Sequence, residues 1–204
     1  RPDISYSVNQ LARFNANPTE RHWQAAKRVL RYLKNTMHYA LYLEPKDDLC
    51  LSAYADASFA TDINTRKSTS GTVVLLGKAL IGWRSIRQKH LSLSTIEAEF
   101  SCLSLFCTEL VCYKQLMVDM GIKVHEPIVV YEDNQAAIQM AANLEVKTRT
   151  KHTDLRYLNV RQCVQSKMIQ LEYCISENNI ADHFTKAQGN VKHKACCEEY
   201  ELKL

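Results

Sequence analysis

The stretch LSAYADASFA, residues 51–60, constrains this chain more than any other. Leu51, Ala53 and Ala55 alternate with Ser52 and Tyr54, the period of a short strand with little bulk on one face. Asp56 interrupts the pattern. A carboxylate inside an apolar strand is costly unless it is paired or bound to a cation. Ala55, Ala57 and Ser58 leave its approach open. Asp also ends strands and caps turns for local reasons, and on this stretch alone that bland role leads. Acids elsewhere in the chain reverse the ranking.

A length of 204 residues suits one domain, or one domain with an appendage. The opening RPDISYSVNQ has neither an initiator Met nor a basic-then-apolar leader, so the chain is expected to be a piece of a longer protein. No apolar run approaches the roughly 18 residues of a membrane span. The eight cysteines form no C-x-x-C and have no His at zinc spacing. Cys102, Cys107 and Cys112 share one apolar stretch, where Cys acts as a small hydrophobe. The expectation is a reduced, intracellular protein.

Residues 1–44 differ in character from the strand-rich block that begins near residue 49. Thr19 caps a helix with Pro18 before it, and Trp23, Ala26, Val29, Leu30 and Leu33 recur at three and four. That predicts an amphipathic helix with Lys27, Arg28, Arg31 and Lys34 outside. Tyr39–Leu43 reads as a short strand, and the turn-rich EPKDD at residues 44–48 as a boundary. The expected division is therefore an appendage at 1–48, a main domain at 49–186 and a tail at 187–204.

In the main domain, the strand holding Asp56 is followed by strands at Gly71–Leu76 and Leu80–Trp83, joined at Gly77-Lys78. Ser92, Ser94 and Thr95 precede a long helix, about Ile96–Met120, which Gly121 ends, with Phe100, Leu103, Cys107, Leu110 or Val111, and Leu116 or Met117 inside. IVVY, residues 128–131, is a buried-type strand running straight into Glu132-Asp133-Asn134. A helix at Gln135–Ala142, a basic helical region, a strand at Ile169–Ile175 and a last short helix holding Asp182 complete the order. Hairpin strands followed by β-α units imply an α/β fold: a five-stranded mixed sheet flanked by helices, with a short, mainly helical N-terminal appendage.

Asp56 and Asp133 sit on strands, while Glu97 or Glu99 and Asp182 sit in the first turns of helices. Helix N-termini accept acids on their own account. Together they are four acidic positions expected on one side of the sheet. Such oxygen-rich sites suit Mg²⁺ or Mn²⁺, and two such ions about 3.5–4 Å apart can clamp both the attacking and leaving oxygens of a phosphodiester. Net charge is only +4, but Lys147, Arg149, Lys151, Arg156, Arg161 and Lys167 face the single acid Asp154. Arg84, Arg87 and Lys89 form a smaller cluster. A run of charge is usually a solvated face; two clusters beside a carboxylate site fit phosphate contact.

YADASFA, RKSTSG (66–71), STIEAEF (94–100), YEDNQAAI (131–138), KHTDLRY (151–157) and NNIADHFTK (178–186) resemble, in order, the ribonuclease H domain of copia-type retrotransposon polyproteins. NPTERHWQAAKRVLRYLK resembles the adjoining end of their reverse transcriptase region. The resemblance implies the ribonuclease H fold, two Mg²⁺ or Mn²⁺ ions, and cleavage of RNA in RNA–DNA hybrids alongside the polymerase. It carries Asp56, Asp133 and Asp182 over as catalytic metal ligands. It also implies a cytoplasmic virus-like particle, with the nucleus as a further setting. The family's glutamate stands just before an aromatic or Leu, which selects Glu99; Glu97, roughly 200° away on a helix, is the alternative. Lys147, Arg149, Lys151, Arg156 and Arg161 are the expected backbone contacts.

The chain departs from the family at Phe59 (usually Trp), Ile96 (usually Thr), Leu158 (usually His) and Ala187 (usually Pro), and its tail has no counterpart we recognise. The rival expectation is a catalytically silent nucleic-acid-binding or assembly domain. Integrase-like strand transfer ranks lower, because it usually ends its acid set in Glu.

Overall fold

The computed structural model describes residues 1–43, 49–143 and 151–203, with 151–154 described by backbone alone. The boundary expected at 44–48 therefore lies outside the described residues.

The appendage holds α1 (Ser5–Ala12), α2 (Glu20–Asn35) and a two-residue strand, β1 (Ala40–Leu41). Thr19 caps α2 as expected, in a capping box with His22 rather than Glu. The predicted inner stripe of α2 is only partly right. Ala26, Val29 and Leu33 are half-buried, but Trp23 is 56% and Leu30 60% exposed, Trp23 lining a surface groove with Leu11 and Phe14. The helix lies on the surface and touches its neighbours along one narrow row.

The central sheet begins with β2 (Leu51–Ser58), β3 (Thr69–Leu76) and β4 (Ala79–Arg87). These pair antiparallel in sequence. The β3–β4 turn is the two residues Gly77-Lys78; Gly77 has φ 60°, which a side chain would resist. After α3 (Thr95–Asp119) come β5 (Ile128–Glu132), α4 (Gln135–Ala142), α5 (Lys151–Gln165) and β6 (Ile169–Tyr173). Both β2–β5 and β5–β6 are parallel, giving a five-stranded mixed sheet in the order β4-β3-β2-β5-β6. This is the predicted architecture.

One face of the sheet is covered by α3 and α5. Leu51, Ala53, Ala55 and Ala57 of β2 meet Phe100, Leu103, Phe106 and Leu110 of α3 there. The alternation of β2 leaves mostly alanines opposite bulky α3 residues, which lets the helix approach closely. Leu110 and Met117 take the inner positions, while Val111 and Leu116 face out. Cys112 is exposed, unlike its buried neighbours Cys102 and Cys107.

The other face carries a second core that the sequence did not announce. The segment holding Asp182 is not the last helix: α6 (Asn190–Glu199) and β7 (Leu202–Lys203) come after it, and β7 pairs antiparallel with β1. Phe184, Tyr200, Leu202, Cys196 and Cys197 pack with Val73 and Leu80. The tail thus closes this second face of the sheet and ties the appendage to it. A second tie is the buried carboxylate of Asp62, in the β2–β3 loop, which pairs with Arg13 (3.2 Å) and Arg87 (2.9 Å).

Candidate metal centre

Parallel strands β2 and β5 are in register as Tyr54 to Tyr131. Two residues further along, Asp56 and Asp133 stand at the same end of the sheet. Glu99 enters from the first turns of α3. One carboxylate oxygen from each of Asp56, Glu99 and Asp133 lies within 4.8 Å of the other two. The helix is aimed by its cap: Ser94 Oγ accepts the Glu97 N–H (3.1 Å) and Glu97 Oε2 accepts the Leu93 N–H (2.7 Å). Those bonds give Glu97 a structural task, while Glu99, two residues on and on a different helix face, is buried beside Asp56 and Asp133.

Each aspartate has its own holder. Thr185 Oγ1 donates to Asp56 Oδ2, and Ser176 Oγ donates to Asp133 Oδ2 at 2.5 Å. Asn179 Nδ2 donates to the Ala55 carbonyl (2.8 Å), fastening the 176–184 segment against β2. Glu99 Oε2 is buried with no hydrogen-bond partner among the described residues. A buried carboxylate oxygen left unmatched is expensive in a finished site.

The electrostatics agree. Burial pushes the Asp56 carboxyl up to about 6, with the neighbouring acids Asp182 and Asp133 adding to it. Burial also holds Glu99 well above the usual range, reinforced by Glu132, Asp56 and Asp133. Carboxylates crowded this way gain most from a divalent cation. An all-oxygen donor set with an orphaned Glu99 oxygen fits Mg²⁺ or Mn²⁺. Asp56, Glu99 and Asp133 would hold it.

Glu132 escaped the sequence reading. It is fully buried directly behind the group; Oε1 accepts the Asn134 N–H at 3.0 Å, and Oε2 has no partner among the described residues. Burial raises its pKa strongly. The signal was present: adjacent acids at a strand end point to opposite faces, so one of Glu132 and Asp133 had to turn inward.

Asp182, the fourth expected ligand, sits in a 3-10 helix, Ile180–Phe184, capped by Asn179. It does not join the other three carboxylates. Lys186 Nζ donates to Oδ1, while Gln188 Nε2 (2.8 Å) and Lys192 Nζ (2.9 Å) donate to Oδ2. Burial works against the charge, but Lys186 and Lys192 outweigh it and hold Asp182 below the usual carboxylate range.

The basic residues divide. Lys147 and Arg149 lie outside the described residues, and Lys151 opens α5 with its side chain outside them too. Arg156 is half-exposed near the site, donating to Ser101 Oγ at 3.3 Å. Arg161 corrects the expectation of a phosphate contact. It is 7% exposed, and its Nε and Nη2 both donate to the Met140 carbonyl at 3.2 Å, holding α4 against α5. The α5 pattern placed Arg161 five residues after Arg156, on a different face.

A mixed sheet in this order, with carboxylates from β2, β5 and α3 at one end, defines a ribonuclease H-fold protein with an acidic triad. LC11-RNase H1, isolated from compost by a metagenomic approach, superposes with a TM-score of 0.51 at 15% identity, covering 67% of this chain and 92% of that one. No family model matches the sequence. Among curated proteins, the retrovirus-related Pol polyprotein from transposon RE2 of Arabidopsis thaliana is 38% identical over 191 residues, 94% of this chain. That from transposon TNT 1-94 of Nicotiana tabacum is 36% identical over 198 residues, 97% of this chain. Over most of its length the chain is thus homologous to part of the retrovirus-related Pol polyproteins of plant transposons, and its fold is that of ribonuclease H domains. It spans 13% and 15% of the length of these two relatives.

Proposed function

We propose that this chain is a metal-dependent endonuclease that cuts the RNA strand of RNA–DNA hybrids during reverse transcription, working beside the polymerase part of its polyprotein. One observation carries the reading: Asp56, Glu99 and Asp133 converge within 4.8 Å at an open end of the sheet. Supporting it, the ribonuclease H1 that shares the fold has also been crystallised in complex with an RNA/DNA hybrid. The division into appendage, catalytic domain and tail, and a setting in virus-like particles and the nucleus, belong to the same reading.

Bound Mg²⁺ or Mn²⁺ would supply a water of lowered pKa and neutralise charge on the scissile phosphate. This chain's residues set the frame. Asp56, Glu99 and Asp133 hold the cation, with Thr185 and Ser176 fixing the first and last of these in orientation. Phe59 and Tyr173 flank the opening beside Asn134 and Gln135, where apolar rings and amide groups can meet sugar and base edges. Discrimination of RNA from DNA uses the 2′-hydroxyl. Arg156 and Lys151 are assigned to the phosphate backbone. In-line attack would leave 5′-phosphate and 3′-hydroxyl ends.

The test is cleavage of an end-labelled hybrid in Mg²⁺ or Mn²⁺ against EDTA, with the matching DNA duplex as control. Cation-dependent cutting of the RNA strand alone is expected. Asp182's engagement with two lysines favours one rival, a silent hybrid-binding domain. Tight hybrid binding without cutting in either metal would select it.

A further inference from the structure

The lysines around Asp182 do more than neutralise it. Lys186 Nζ bonds Asp182, yet the same side chain lines the opening that contains Asp56, Glu99 and Asp133. Its ammonium is held by both groups: burial pulls its pKa down, but Asp56, Asp182 and Asp133 together raise it. The side chain is 47% exposed while the Asp182 side chain is 8% exposed. A half-exposed cation therefore closes over a fixed, buried anion.

We propose that Lys186 competes with a second divalent ion: its ammonium, backed by Lys192 and Gln188, keeps Asp182 out of the acidic triad, so the chain binds one ion tightly and admits a second only when this clamp opens. The inference rests on the metal-site reading above and concerns its regulation. The charge count supports it. Once a bound cation has displaced their protons, Asp56, Glu99 and Asp133 carry three negative charges, which one divalent ion and one nearby ammonium balance. Asp182 is the one further ligand the sequence resemblance implies, and it already accepts bonds from Lys186, Lys192 and Gln188. A second ion would also stand against the Lys186 ammonium, and like charges at such range disfavour each other by roughly tenfold or more. Glu99 Oε2, buried and unpartnered among the described residues, marks the triad side as where the first ion goes. Because Gln188 and Lys192 come from the tail beyond the 180–184 helix, the tail helps set the number of ions.

The experiment counts Mn²⁺ bound to the full chain, by calorimetry and by the loss of free-Mn²⁺ spin resonance, at pH 7.5 without nucleic acid. Wild type should bind one ion, with a second at least about tenfold weaker. Lys186→Met should bind two ions, the second tightened by about tenfold or more. Lys186→Gln, which can still donate to Asp182 but carries no charge, should lie between them. Circular dichroism checks that the variants fold. Equal stoichiometry and second-ion affinities within twofold for wild type and both variants would overturn the proposal, as would two equally tight ions in wild type. Hybrid cleavage is scored separately. A chain that shows the change from one ion to two but never cuts a hybrid refutes the nuclease reading and leaves the role of Lys186 standing.

Discussion

Replacing Asp56 with Asn should make the metal-free protein more stable. Asp56 is 2% exposed, and burial raises its carboxyl from the ordinary 3.8 to about 6. Between those values the folded chain holds a proton the unfolded chain releases, so wild-type stability from this group falls as pH rises. The contribution is intact below about pH 4 and lost above about pH 6. The difference corresponds to about 3 kcal/mol against the charged form. Asn has nearly the same shape, still accepts from Thr185 Oγ1, and never charges. Its advantage over Asp should therefore be near zero at pH 3.5 and grow to about 3 kcal/mol by pH 7.

Urea unfolding followed by circular dichroism in EDTA, from pH 3.5 to 8, measures this directly. Mg²⁺ that binds only the folded wild type offsets most of this gap at a hundred times its Kd, where it stabilises by about 2.7 kcal/mol, and reverses the order at a thousand times its Kd, where it stabilises by about 4.1 kcal/mol. Cleavage of a labelled hybrid by Asp56→Asn should be lost with hybrid affinity kept. An Asn variant no more stable than wild type at pH 7.5 in EDTA would refute the argument that Asp56 is a strained, cation-seeking carboxylate.

The other predictions are briefer. Glu99→Gln should abolish cleavage, while Glu97→Gln, whose amide oxygen still accepts the Leu93 N–H, should retain most of it at little cost in stability; Glu97→Ala, which removes that bond, should cost about 1 kcal/mol, read by hybrid cleavage and urea midpoints. Arg156→Gln should weaken every hybrid sequence alike and flatten log affinity against log salt by about one unit. Arg161→Gln should leave that slope alone and cost roughly 1–3 kcal/mol, since the Met140 carbonyl loses its donors. His183, buried and held down to about 4 by burial and by His193, must take up a proton on acid unfolding. Its contribution is full above pH 6.5 and lost as pH falls towards 4, about 3 kcal/mol in all. Asp56 works in the opposite direction over that window, so the His183 effect should be read in the Asp56→Asn background, where stability should drop on acidification.

Legibility followed the range of the forces involved. The strands β2, β3 and β5 and the helix α3 were readable because alternation, the Gly77 turn and the Ser94 cap are local signals. The choice between Glu97 and Glu99 was not local in that sense: helix phase says only that the two acids lie on different faces, and the preference for Glu99 came from the family resemblance. What failed was anything decided by distant packing. Trp23 and Leu30 lie in a faultless amphipathic pattern, yet α2 meets the fold along too narrow a row to cover them. Arg161 looked like one more surface charge, and only the α4–α5 contact turns it inward. The tail offered no periodicity that distinguishes it from a solvated helix, because its Cys196, Cys197, Tyr200 and Leu202 face a core made by residues more than a hundred positions earlier.

That distant packing also explains why the site needs the tail. A chain of hydrogen bonds runs from Arg1 through Asp3 and Tyr32 to His193, then to His183 and Tyr200, whose hydroxyl donates to the Ile180 carbonyl at 2.9 Å. Ile180 opens the same 3-10 helix that carries Asp182 and leads into Thr185, the donor to Asp56. A helix of five residues has too few internal bonds to hold its own geometry. It is positioned instead by Asn179 reaching β2, by Phe184 packed under Val73 and Leu80, and by α6 behind it. Of the acids named, Asp133 and Glu99 sit on elements that the main sheet fixes by itself, whereas Asp182 and the orientation of Asp56 depend on an element that the appendage and tail hold in place.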